Sequence, residues 1–156
     1  VEDTGVPTLL RDAQVLPIWE GTTNVLALDT LRAVEAADGM GRLRQELQRW
    51  LDEVKEPGLV AAGDAVKKTF ALAEDWFKSA LNSGLPSLEA GARRFAMTLG
   101  RCLELGLLLN HAQWSLNNEH DGKAAAAARR FYAAGVGLIK DMDAGDAQQL
   151  ANDVRE

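Results

Sequence analysis

The chain has 156 residues, 47% of them hydrophobic, and its seventeen basic against twenty-three acidic residues leave a net charge of -6. That length can bury a real core in one compact domain, and the composition excludes a disordered chain and reads as soluble and helical. The acidic balance argues against a surface built for nucleic acid or anionic membrane, the lone Cys102 excludes an intrachain disulfide framework and fits a reducing cytoplasm, and no apolar run approaches the ~20 residues of a membrane span.

Taken in order, residues 1–7 read as a turn, and Pro7 fits the first position of a short helix through Asp12. Arg11 and Asp12 are neighbours and point in different directions on such a helix. Arg11 is open to two readings, an anchor for a carboxylate elsewhere in a larger protein or a solvated surface residue. Leu16-Pro17 should be extended or turned, because Pro17 has no N–H to donate. A helix opening at Thr22 or Thr23 carries Val25, Leu28, Leu31 and Val34 at helical spacing and runs to about Ala37, where Asp38-Gly39 marks a turn. A second helix, from about Gly41 to Val54, places Leu43, Leu47, Trp50, Leu51 and Val54 on one face, and Glu56-Pro57-Gly58 breaks it.

The next helix, about Leu59 to Asn82, steps through Ala62, Val66, Phe70, Ala73, Phe77 and Leu81. After Asn82-Ser83-Gly84-Leu85-Pro86 comes the longest and least polar helix, roughly Leu88 to Asn117, apolar on most sides and therefore central. Gly100 and Gly106 within it are expected to permit close helix contact. An alanine-rich helix from about Lys123 to Lys140 should bury Ala127, Phe131, Ala134 and Leu138 and lie tight against its predecessor. A short polar helix follows Asp143-Ala144-Gly145-Asp146. No stretch alternates with period two, so the predicted fold is all-α: an antiparallel helical bundle preceded by a short helix and an extended turn.

One stretch carries residue types that suggest chemistry. In Trp19-Glu20-Gly21-Thr22-Thr23-Asn24 a carboxylate stands just ahead of a helix N-terminus, where free N–H groups and the helix dipole favour an anion such as a phosphate. These residues alone leave two readings open: a turn and a capped helix with a solvated glutamate, or a carboxylate held beside a phosphate-binding helix start. Elsewhere the signals are weaker. His111, on the apolar helix, reads as a hydrogen-bonded structural residue. His120 has Glu119 and Asp121 beside it but no second histidine or cysteine at metal-ligand spacing, so no metal site is predicted. The four tryptophans read as core or helix-seam residues. Lys67-Lys68, Arg93-Arg94 and Arg129-Arg130 would form a basic stripe if their helices lay side by side, against the opposing field of Asp64, Glu74, Asp75, Glu89 and Asp121.

Arg11-Asp12-Ala13 followed by Ile18-Trp19-Glu20-Gly21-Thr22 resembles the signature near the C-terminal end of flavin-dependent acyl-CoA dehydrogenases, an Arg-Asp-Ala segment and then an aromatic-Glu-Gly-Thr turn leading into a helix. Val1 to Pro7 resembles the family's lead-in. Trp19 in place of tyrosine, with Leu28-Asp29-Thr30-Leu31-Arg32 after it, is most similar to the AidB-like branch, which is associated with DNA. The resemblance covers the first quarter of the chain; beyond about residue 40 only a compatible helical pattern remains.

The resemblance implies that Glu20 is the base that removes a proton from the carbon next to the thioester carbonyl, while hydride leaves the next carbon for the flavin of FAD. It implies that Gly21 lets the backbone pass close to acyl chain or flavin, that Thr22 and Asn24 contact FAD, and that Trp19 walls the acyl pocket. Leu26 stands where many members have glutamine. It further implies an acyl-CoA substrate, a role in fatty acid metabolism and a homo-oligomer, with residues 1–37 the end of the dehydrogenase helical core and 38–156 a C-terminal bundle extension. The chain starts without an initiator methionine and has nothing like the family's β-domain, so it reads as a fragment without dehydrogenase activity of its own. The alternative is a helical binding module for another protein or for DNA, with Glu20 idle.

Overall fold

The computed structural model describes residues 4–19, 23–139 and 149. Six α-helices follow one another: α1 (Val6–Trp19), α2 (Thr23–Glu35), α3 (Gly39–Asp52), α4 (Pro57–Ser83), α5 (Leu85–Asn118) and α6 (Lys123–Ala133), with a 3-10 turn at Ala36–Asp38. No strand occurs among the described residues, as the absence of period-two alternation required. The helices α2, α3, α4 and α6 all pack on α5, so the least polar helix is the central one. Phe95, Cys102, Leu105 and Leu109 of α5 are completely buried, opposite Leu59, Val66 and Ala73 of α4.

The connections are short because each uses a local chain-reversing device. Pro57 opens α4 without an N–H to leave unsatisfied, and Gly84, at φ +94°, is the one residue joining α4 to α5. Asp38 takes a left-handed conformation at φ 55°, and its side chain accepts from the Gly41 N–H at 3.3 Å to cap α3. The α3–α4 connection is tied down from α5. The Oε1 of buried Gln113 accepts the backbone N–H groups of both Lys55 and Glu56 at 2.7 Å, and Asn110 donates to the Trp50 carbonyl at 3.3 Å.

Several expectations need correction. The helix α1 does not stop at Asp12: it continues through Pro17 to Trp19, where an extended approach was predicted. The carbonyl that Pro17 leaves without its N–H belongs to Ala13, which is exposed and can be hydrated, so the missing bond is cheap. Gly100 meets nothing close, whereas Gly91 and Gly106 make the tight contacts. A Cβ on Gly91 would run into the Trp76 ring, and one on Gly106 would come within 2.8 Å of Leu47 and 3.3 Å of Trp50.

The last long helix ends at Ala133, not near Lys140, because Gly135 supplies a left-handed residue at φ +84° and its N–H closes the turn on the Tyr132 carbonyl at 2.9 Å. The chain then crosses α5 in a non-helical segment. Arg101 donates to the Gly135 carbonyl at 3.0 Å while lying over the Phe131 ring, and Thr98 Oγ1 accepts the Leu138 N–H at 3.0 Å. The face of α6 is shifted too: Ala125 and Ala128 are buried, Phe131 and Leu138 are half-buried, and Ala127 and Ala134 are exposed. Leu81 is likewise exposed rather than buried.

Candidate functional site

Three of the residues that carry the proposed chemistry, Glu20, Gly21 and Thr22, lie outside the described residues. They fall in the short joint between α1 and α2. Trp19 is the last residue of α1, and Asn24 is the second residue of α2. Asn24 is exposed. It borders a surface hollow of about 430 Å³ together with Leu28 of the same helix and Glu89, Arg93 and Arg94 of α5.

The hollow exists because of how α2 seats on α5. Ala27, Leu31 and Val34 are buried, which turns Asn24 and Leu28 toward the early turns of α5. There α5 is held against α4 by an aromatic group: Trp76 lies 5.1 Å from the Phe95 ring centre, and Phe77 stacks on Phe95 at 5.2 Å. The first turn of α2 contains no acidic side chain and its last turn contains Arg32. Its positive end is therefore uncompensated from within, and Asn24 in its first turn borders the hollow that Arg93 and Arg94 also border. Two guanidinium groups, an amide and a helix start suit a phosphate or pyrophosphate, with Glu89 the one opposing charge. Arg93 and Arg94 were legible in the sequence as a basic pair, but only the packing of α2 on α5 brings them to Asn24.

A second hollow, about 530 Å³, opens between α3 and α4, with Val34, Met40 and Phe77 among its walls. At its floor, Arg44 of α3 makes an ion pair with nearly buried Glu74 of α4, its Nε donating to Oε1 at 2.9 Å. The carboxylate is thus committed to holding two helices together. The other candidates separate. Lys67 borders the α3–α4 groove, Arg93 and Arg94 the hollow beside α2, and Arg129 reaches the start of α4 beside Gly58. Lys67, the Arg93–Arg94 pair and Arg129 thus stand at three different places on the bundle.

His111, expected as a hydrogen-bonded structural residue, is exposed and stacks on Trp114 with the ring centres 5.8 Å apart. Trp114 is itself 50% exposed, unlike half-buried Trp50 and Trp76, and so is not a core or seam residue. His120 is exposed, and among the described residues no three His, Cys, Asp or Glu side chains gather as a metal site would need. No described helix is long and apolar enough to cross a membrane.

The described residues define an all-helical domain built around one central helix, and comparison with known proteins says which family it belongs to. The family described as "Acyl-CoA dehydrogenase 11 C-terminal domain-like" matches residues 39–150, and the chain belongs to that family. Acyl-CoA dehydrogenase family member 11 of Caenorhabditis elegans is 38% identical over 133 residues, covering 80% of this chain and 21% of that protein. The 3-methylmercaptopropionyl-CoA dehydrogenase of Ruegeria pomeroyi is 34% identical over 92 residues, 59% of this chain and 15% of its own length. The crystal structure of Caenorhabditis elegans ACDH-11 in complex with C11-CoA superposes with a TM-score of 0.73 at 29% identity, covering all of this chain and 28% of that one. The chain thus matches over 21% and 15% of the lengths of these two curated relatives.

Proposed function

We propose that this chain is the C-terminal helical part of an FAD-dependent acyl-CoA dehydrogenase-like oxidoreductase, in which Glu20 removes the α-proton of an acyl-CoA thioester. The observation that carries the reading is the family match over residues 39–150, a C-terminal domain whose relatives are acyl-CoA dehydrogenases; Glu20 precedes it in the sequence by the length of α2 and a few residues. In this reading the joint between α1 and α2 presents the Glu20 carboxylate to the substrate, and Gly21 keeps side-chain bulk away from it. Asn24, with Arg93 and Arg94 across the hollow, holds a phosphate of FAD at the start of α2, and Thr22 adds a hydroxyl there. Bound FAD supplies the hydride acceptor. A carboxylate suits the base role because a dry environment raises its proton affinity toward that of a carbon acid's partner.

Trp19, as a wall of the acyl pocket, and the segment Leu28–Arg32 are what support the AidB-like branch within the family. A nucleic-acid role for the bundle finds less support, since Lys67, Arg93 and Arg94, and Arg129 stand at different places on it and the chain is acidic overall. The buried, single Cys102 supports a reducing, cytoplasmic setting.

The test uses the parent protein that contains this chain, with Glu20→Gln and Glu20→Ala beside it. Flavin absorbance reports loading, and its bleaching on addition of acyl-CoA reports proton and hydride removal. Both variants should retain flavin and bleach at least about 100-fold more slowly. Unchanged bleaching in Glu20→Ala would sink the base assignment. A parent protein that carries no flavin would instead point to a binding module.

A further inference from the structure

The Arg44–Glu74 ion pair borders two hollows between α3 and α4, and the two differ in charge. On the wider side, Glu35, Asp38 and Glu74 outnumber Arg44 and Lys78, so that side repels an anion. On the other side lies a smaller hollow of about 160 Å³. Its walls are Leu47 and Leu51 of α3 and Val66 and Phe70 of α4, all buried. The charged residues around it are Arg44, Lys67 and Glu74, which leave one positive charge in excess.

That excess charge is free to meet a ligand. Arg44 donates both Nε and Nη2 to Glu74 Oε1 and is held there, because a nearly buried carboxylate stripped of its partner is strongly destabilising. Its Nη1 stays outside the pair. Lys67 is exposed and makes no ion pair among the described residues, and Asp64, one turn earlier on α4, does not line the hollow. An anion would therefore sit on Lys67, beside the unspent edge of Arg44, with its apolar body turned in toward Val66 and Phe70.

We infer that this hollow is a binding site for a small amphiphilic monoanion, a monocarboxylate whose apolar body is about the size of a phenyl ring. The size follows from the volume, since an apolar protein cavity of about 150 Å³ takes up benzene. The apolar body follows from the walls, four side chains with no hydrogen bond to offer. The single negative charge follows from the one cation in excess; a dianion would leave a charge unmatched close to Glu74. The site uses no residue of the Glu20 reading and lies apart from the hollow beside Asn24.

Titration of the ¹⁵N-labelled chain with phenylacetate, followed by amide chemical shifts, tests this. Amides of residues 47–51 and 66–71 should shift and saturate with a dissociation constant of about 1 mM, what a ligand of roughly ten non-hydrogen atoms reaches at ordinary efficiency. Phenylacetamide, with the same body and no charge, should bind about 3-fold more weakly or worse. Lys67→Met should weaken phenylacetate by a similar factor and leave phenylacetamide unchanged. Ala71 is exposed at the rim, so Ala71→Leu should fill the hollow and remove binding of both compounds with an unchanged circular dichroism spectrum. Shifts that do not saturate by about 20 mM, or that scatter over the basic residues of the surface, overturn the site. Equal affinity for the acid and the amide, or a Lys67→Met chain that binds phenylacetate as the wild type does, overturns the assignment of a monoanion. Unchanged binding in Ala71→Leu overturns the location.

Discussion

Cys102 shows how far one residue's chemistry follows from where it is packed. Burial at the centre of α5 pushes its thiol up to about 12, so it holds its proton where a free thiol would have lost it. The folded protein should therefore resist maleimide at pH 8 and react once denatured. The sign of the pH effect follows. Above about pH 9 the unfolded thiol ionises while the folded one does not, so the folded state binds the extra proton and stability falls as pH rises through the window from 9 to about 12. The limiting slope for one such group is about 1.4 kcal/mol per pH unit. Denaturant titrations at several pH values should show this slope in the wild type and not in Cys102→Ala. Glu74 and Gln113 make the complementary point: each is a buried polar side chain, and each is spent on joining helices rather than on chemistry.

At the scale of elements, the end of α6 decides where the last core segment goes. Gly135 at φ +84° stops the helix and sends residues 136–139 across α5, where Val136 is buried and Leu138 is tied to Thr98. An L side chain in that conformation costs about 1–2 kcal/mol, so Gly135→Ala should lower the unfolding free energy by that amount in chemical denaturation. A change within about 0.5 kcal/mol, the range of an ordinary surface substitution, would contradict this account. The shifted face of α6 has a related cause. Five consecutive alanines, Ala124 to Ala128, offer the same side chain in every direction, so the sequence there contains no information about which face is buried. Only the fit against α5 selects Ala125 and Ala128.

Across the whole molecule, α1 is the element that stands apart. Val6, Leu9, Leu10 and Val15 are 63%, 70%, 59% and 50% exposed, and no extensive packing joins α1 to the bundle among the described residues. Without tertiary contacts a 14-residue helix is marginal in water. Hydrogen exchange read by mass spectrometry should show α1 exchanging near the unprotected rate in this chain, with α4 and α5 the slowest. On the proposed function, α1 should become protected when the chain is joined to the remainder of a dehydrogenase that packs against it. Equal protection of α1 and α5 in the chain alone would contradict that picture.

What the sequence determined by itself was the class and much of the plan. The apolar steps of α3, α4 and α5 named the core, from Leu47 and Leu51 through Val66 and Phe70 to Phe95 and Leu109, because a 3.6-residue period leaves only one face to bury. The start of α2 at Thr23 was legible for the same local reason: capping residues act within a few positions. Tertiary structure decided the rest. It fixed the path after α6 ends ahead of Gly135, chose Gly91 over Gly100 for close contact, and set Arg93 and Arg94 beside Asn24. Each of those outcomes depends on which side chains from distant positions share a space, and the energies of local conformation are too small and too evenly matched to choose among them.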